Sequence, residues 1–244
     1  MNNWITMIFL LLLLAIHFSA QFVHSAEDNM KTKILSGAAG VSVAYIFLHL
    51  LPELMEQQRK LENDTNIFPF MDHHVNFIAV LGFITFYGLE KAAKVSRNKG
   101  EADQTEPGVF WVHMSSFFVY NALIGNLLVT RSKEETVLGL ILYTVGVGLH
   151  FFVVDYTLTG HHKSQFTHMG RWILSSAIAL GWLTGILEIF PPLLLSVLLS
   201  FLSGAIILNV MKEELPGERQ ASYSTFAAGA VVYMILLVTA GIFE

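Results

Sequence analysis

Apolar runs alternate with short polar stretches along the whole chain. Eight runs stand out: Trp4–Val23, Ile34–Leu51, Val75–Leu89, Val109–Thr130, Thr136–Thr157, Trp172–Phe190, Leu193–Met211 and Tyr223–Phe243. A helix needs about 20 apolar residues to cross the hydrocarbon core of a bilayer. No run shows the strict alternation of a barrel strand, and lipid offers no partner for unpaired backbone groups. The pattern therefore predicts an all-α, polytopic integral membrane bundle of eight transmembrane helices. The third run is short. It is expected to continue as helix through Lys91-Ala92-Ala93-Lys94, with the lysines reaching back toward the headgroups.

Charge follows the same partition. Of 14 basic and 19 acidic residues, only Asp155 and Glu188 fall inside the eight limits. The loops after the first, third, fifth and seventh runs carry ten of the Lys and Arg residues, and the opposite side carries four. The positive-inside rule then places those loops in the cytoplasm and both termini outside it. The first run is read as a retained helix and not a signal peptide, because no positive charge precedes it. The expected layout is one membrane domain over residues 1–244. Helices one to three occupy 1–90, a polar cytoplasmic loop 91–108, and helices four to eight 109–244. Residues Pro52–His74 form an external connection, and Pro191-Pro192 a tight hairpin between helices six and seven.

Composition sharpens the class. The chain is 54% hydrophobic and 14% charged, with net charge −5 and mean hydropathy +0.57. Soluble domains are about 25% charged, so a soluble globular domain and a disordered chain are excluded, and so is a nucleic-acid partner. The expected surroundings are the lipid bilayer of a plasma or bacterial inner membrane. A homodimer is a candidate assembly. Cysteine is absent, which excludes disulfides, thiolate zinc sites and thiol catalysis. Any metal must be held by His, Asp, Glu, Asn, Met or backbone oxygen.

Small residues mark where helices approach in lipid. Ser36-Gly37-Ala38-Ala39-Gly40 opens helix two, and Ser196, Ser200 and Gly204 recur at four-residue spacing on helix seven. Ser224 with Ala228, and Thr225 with Gly229, do the same on helix eight; Gly139, Gly146 and Gly148 lie on helix five.

Ionisable groups within a bilayer are costly and point to function. On helix four, His113, Ser116 and Tyr120 share one stripe with Asn121 at its edge. On helix five, Tyr143, Gly146 and His150 form another. His113 and His150 fall at comparable depth, and with Asp155 they are candidate ligands for a divalent ion such as Zn²⁺, Fe²⁺ or Mn²⁺. Asp155 lies about 140° around the helix from His150, at 100° per residue, so one ion does not easily reach both. His49 aligns with Tyr45 and Glu53 near the outer end of helix two, as a vestibule group or an interfacial anchor. His17 shows no partner and reads as structural. Two loop clusters, His73-His74 outside and His161, His162 and His168 inside, are candidates for weak metal capture or ordinary polar loop residues.

These residues resemble the ZIP family of divalent-metal transporters. His49-Leu50-Leu51-Pro52-Glu53 is similar to the end of that family's second helix. Phe86-Tyr87-Gly88-Leu89-Glu90-Lys91 is similar to its third, and Glu213-Glu214-Leu215-Pro216 to the exit of its seventh. The resemblance implies eight helices, external termini and a cytoplasmic loop between helices three and four, with the transport site on helices four and five; His49, Glu53, Ser116, Tyr120, Asn121 and Tyr143 are the candidate polar residues of a path. His113 and His150 match family histidines, and Asp155 matches an acid. Met114, Ser116 and Phe117 stand where the family carries Asn, Pro and an acid, and Phe151 and Val153 where it carries Glu and Pro. The resemblance thus implies a single His-based site in place of a double-metal one. Three readings follow: a divalent-cation transporter, a non-transporting sensor, scaffold or partner subunit of the same fold, and a membrane-embedded metal-dependent hydrolase. No His-Glu-x-x-His or Gly-x-Ser-x-Gly run supports the last.

Overall fold

The computed structural model describes residues 3–24, 27–64, 73–99, 107–134, 136–214 and 222–239. Every regular element among them is helical. These are α1 (Asn3–His24), α2 (Asp28–Tyr45), α3 (Leu51–Asp64), α4 (His74–Lys99), α5 (Pro107–Glu134), α6 (Val137–Gln165), α7 (Arg171–Ile186), α8 (Pro192–Asn209) and α9 (Tyr223–Thr239). Wide π turns at Ile46–Leu50, Phe166–Gly170 and Val210–Glu214 follow α2, α6 and α8. Four stretches are long and apolar enough to cross a membrane: 28–59, 74–92, 137–160 and 192–212. The outward faces of α4 and of the shorter apolar helix α9 suit lipid. Phe77, Val80, Ile84, Val232, Ile235 and Val238 are each more than half exposed, and a water-soluble surface does not carry so much contiguous apolar area. Trp111, Trp172 and Tyr223 are exposed near the starts of α5, α7 and α9, as in an interfacial aromatic belt.

The helices associate in four pairs, each running in one direction. Ile16 of α1 meets Gly148 of α6, and His17 reaches Asp155 further along α6. Gly37 and Gly40 of α2 meet Thr225 and Phe226 of α9. Gly82 of α4 crosses Gly204 of α8, each against the other helix's backbone, and Lys212 pairs with Glu90 at 2.5 Å beyond the crossing. Gly125 and Ala122 of α5 meet Ile178 and Gly181 of α7. Gly37 and Gly40 of helix two, Gly204 of helix seven and the Thr225–Gly229 stripe of helix eight lie in these contacts, and Gly82, Gly125 and Gly181 complete them; the Ser224–Ala228 stripe is exposed, and Ser196 meets Gln57 of α3 instead. At Gly181 a Cβ would overlap the Ala122 carbonyl, so only glycine permits this backbone approach.

Two connections differ from the sequence expectation. The chain stays helical past Pro52 to Asp64. Proline lacks an N–H and its ring crowds the carbonyl four residues back. The π turn at Ile46–Leu50 widens the backbone just before it, which lets the helix continue. Between α7 and α8 the turn is tight, but the two helices pack on different partners, α5 and α4. That turn is a Schellman cap: Ile189 N–H donates to the Thr184 carbonyl and Glu188 N–H to that of Gly185. Glu188 takes the left-handed position at φ 50°.

Glu188 therefore lies beyond the helix and is exposed, with its carboxylate 2.5 Å from Lys133 Nζ at the end of α5. The hydrogen bond and charge of Lys133 hold its pKa below the usual carboxylate value. The folded value is depressed, so this contact supports the fold above the ordinary carboxylate range and is lost as pH falls through the lowered value. Proteolysis at the 187–191 turn is expected to speed up on acidification in the wild type, and Glu188→Gln is expected to remove that pH dependence.

Candidate functional site: two buried polar clusters

The main apolar core joins α1, α2, α5, α6, α7, α8 and α9. Two polar clusters interrupt this bundle. The first is built on α1, α5 and α6. Asp155 is completely buried, and its Oδ2 lies 2.6 Å from His17 Nδ1. His17 Nε2 lies 3.1 Å from Asn121 Oδ1, and the Phe151 ring stacks on the imidazole at 5.0 Å. Asn121 fixes the roles. Its Nδ2 donates to the Phe117 carbonyl at 2.7 Å, and a carbonyl can only accept. Oδ1 therefore faces His17, and Nε2 must carry the hydrogen. One further proton is shared along the short Nδ1–Oδ2 contact. Neither ring nitrogen has a lone pair left for a metal in this arrangement. Asp155 Oδ1 is buried and has no hydrogen-bond partner among the described residues.

His150 stands beside this cluster, buried, with its ring 5.8 Å from that of Tyr120. It is close enough to interact electrostatically with Asp155. The 140° separation on one helix is thus met by a third helix: α1 supplies the imidazole that faces Asp155. Among the described residues no group of three His, Asp or Glu side chains is arranged to hold a metal ion. The His113 side chain lies outside the described residues. Around the neighbouring turns, Met114 and Phe117 pack with Phe110, Val154, Leu158, Phe166 and Leu174. Met114 and Phe117, at positions where the resemblance implies polar residues, therefore form an apolar cluster, and Phe151 packs against His17.

The second cluster lies at the end of α5, with residues from the π turn Ile46–Leu50, α3 and α6. Arg131 is buried, with NH1 2.8 Å from His49 Nε2 and NH2 3.0 Å from Glu53 Oε2. Its guanidinium sits over the Tyr143 ring at 4.8 Å, and the His49 ring stacks on Tyr45 at 5.3 Å. Gln57 donates to Glu53 at 2.6 Å and accepts from Ser196 at 2.6 Å. Glu53, Tyr143 and His49 are three of the residues expected along a path, and the structure brings them together on an arginine. Guanidinium cannot lose its proton, so the charge of Glu53 is already matched. Arg131→Met is expected to lower stability by about 2 kcal/mol, the cost of losing hydrogen bonds to a charged group. Arg131→Lys is expected to recover little, because one ammonium cannot fork to both partners. Thermal unfolding in detergent measures both.

The remaining sequence candidates are dispersed. Ser116 is half-buried, His73 and His168 are exposed, and His74 is half-buried. The side chains of His161 and His162 lie outside the described residues. His17 and Arg131 were the two site residues the sequence reading did not single out. A lone histidine in an apolar run implies an acid at its own depth on another helix, and Asp155 was that acid. Arg131 follows directly on an apolar run and reads as a topology marker; nothing in its own helix shows that it turns inward. Comparison with family models, curated proteins and solved structures finds no match to this chain.

Proposed function

We propose that the chain is a ZIP-like integral membrane protein that carries a divalent metal cation such as Zn²⁺. In this reading eight helices span a plasma or bacterial inner membrane, three and five about the polar segment 91–108, with both ends extracytoplasmic. The observation that supports it most is Asp155, a carboxylate with one oxygen open, fully buried among apolar helices beside two histidines. Such a group is retained in lipid where it serves an ion path. Asp155 Oδ1 and His150 then face the ion, and His113 is the third candidate ligand. His17, with both nitrogens engaged, orients the Asp155 carboxylate. Equilibrium binding of Zn²⁺ to the purified protein tests this. One ion per chain is expected, weakened about 10–100-fold by His17→Ala as the loss of an orienting partner, and abolished by Asp155→Ala. Absence of saturable binding contradicts the reading.

A second reading is a non-transporting sensor or partner subunit of the same architecture. Two observations favour it: the Met114–Phe117 apolar cluster and the Arg131 cation at the opposite end. It expects saturable Zn²⁺ binding, if present, without flux.

A further inference from the structure

Helix α3 belongs to none of the four close-packed helix pairs. It continues α2 through the π turn Ile46–Leu50 and Pro52. Pro52 has no N–H to give to the helix, and π turns and prolines are where helices bend. Leu54 is the buried apolar side chain of α3 among the described residues, and Met55 is exposed, so apolar packing fixes α3 weakly. Hydrogen bonds do more. Glu53 accepts from Arg131 of α5 at 3.0 Å, and Gln57 accepts from Ser196 of α8 at 2.6 Å. Gln58 accepts from the Val75 N–H at the start of α4 at 2.9 Å, so α3 is tethered there as well. A cavity of about 500 Å³ opens between α3, α5 and α8. We propose that α3 is a hinged gate, pivoting at Ile46–Leu50 and latched by the Glu53–Arg131 and Gln57–Ser196 contacts.

The latch lies between the cavity and the bundle interior. Arg131 lines the cavity, and its guanidinium also lies over the Tyr143 ring at 4.8 Å. Tyr143 is buried. From it, Val147 and His150 continue one face of α6 toward Asp155, about 18 Å further along at 1.5 Å per residue. The gate rests on the reading of Asp155 as an ion site, because it needs a site to guard. The chemistry of the latch suits a switch better than a fixed clamp. A buried ion pair is often no more stable than a well-packed apolar pair, and its best-attested use is to set register or to switch. When α3 tilts, Glu53, Gln57 and Ser196 meet water, which replaces each lost hydrogen bond. The closed and open arrangements then differ by only the small net worth of those bonds.

The chain has no cysteine, so one introduced thiol reports alone. The full chain is placed in phosphatidylcholine nanodiscs without metal. The rate of modification by 2-sulfonatoethyl methanethiosulfonate is measured at Val147→Cys, a position that is 2% exposed. The thiol is expected to react slowly with the latch intact. Ser196→Ala, which leaves every charge in place, is expected to speed the reaction about threefold or more. Glu53→Gln is expected to speed it about tenfold or more, the two factors following the loss of a neutral and of a charged hydrogen bond. Met114→Cys, in the apolar cluster with Phe166 and Leu174, is expected to stay protected throughout. A rate at Val147→Cys that neither latch variant changes overturns the inference. So does an equal rise at Met114→Cys, which would make the network a clamp on the whole bundle. Zn²⁺ binding at Asp155 is a separate measurement: it stands if the gate fails, and its failure leaves the labelling result unchanged.

Discussion

Replacing His17 by leucine is expected to destabilise the protein by about 3 kcal/mol or more, the scale on which breaking a buried charged pair acts. The substitution keeps the volume but leaves Asp155, completely buried, without its partner. Asp155 then has to lose its charge or draw water into the bundle, and both cost free energy. Asp155→Leu is expected to cost less, since Asn121 still accepts from His17 Nε2. The double variant His17→Leu, Asp155→Leu is expected to recover most of the loss, because an apolar pair of similar volume removes the desolvation cost from both sides. Unfolding of the purified protein in detergent, run as a double-mutant cycle, gives the coupling directly. Additive losses would mean that the 2.6 Å contact does not couple the two residues. Recovery of stability without recovery of function separates the two roles of the pair. A purely structural pair would be improved by leucines; a functional one would be stabilised and silenced.

The second large effect lies at the α5–α7 crossing. Gly181→Ala is expected to cost about 2–3 kcal/mol, because overpacking a close contact forces backbone shifts. The new methyl would fall on the Ala122 carbonyl, and a helix backbone cannot rotate away as a side chain can. Gly125→Ala meets the Ile178 carbonyl in the same way. Gly88→Ala is the control: a Cβ there has open space, so the change is expected to be neutral, or stabilising by up to about 1 kcal/mol from helix propensity. The consequence reaches the site. Asn121 precedes Ala122 on α5, so a displaced α5 moves the Asn121 oxygen from His17. A stability loss at Gly181 equal to that at Gly88 would show that the close crossing is not required.

Much of the fold was legible in the sequence, because lipid imposes one rule on every span. Apolar runs, polar loops and the absence of alternation lead to a helical bundle without knowledge of any contact. The small residues of α2, α8 and α9 were readable for a related reason: close backbone approach demands small side chains wherever it occurs. Which helices pair was not readable. Gly37 shows that α2 has a close neighbour, but not that the neighbour is α9, since any parallel or antiparallel small-residue surface would serve. The site divides along the same line. Asp155, His150, His49 and Glu53 were singled out because an ionisable group near lipid is conspicuous on its own helix. His17 and Arg131 acquire their meaning from other helices. Phe117 and Met114 show the limit of motif matching. Their positions aligned with polar ligands, but two apolar side chains on one stripe pack together, and they do so here with Phe166 and Leu174.

The measurement that tests the central claim most directly is metal uptake into proteoliposomes holding the full chain. Wild type, Asp155→Asn and the His17→Leu, Asp155→Leu double variant are compared for Zn²⁺, Fe²⁺ and Mn²⁺ against empty vesicles. The expected result is saturable uptake by the wild type, lost in both variants, with the double variant still folded. Uptake no greater than that of empty vesicles, or uptake that survives removal of the Asp155 carboxylate, would contradict the account.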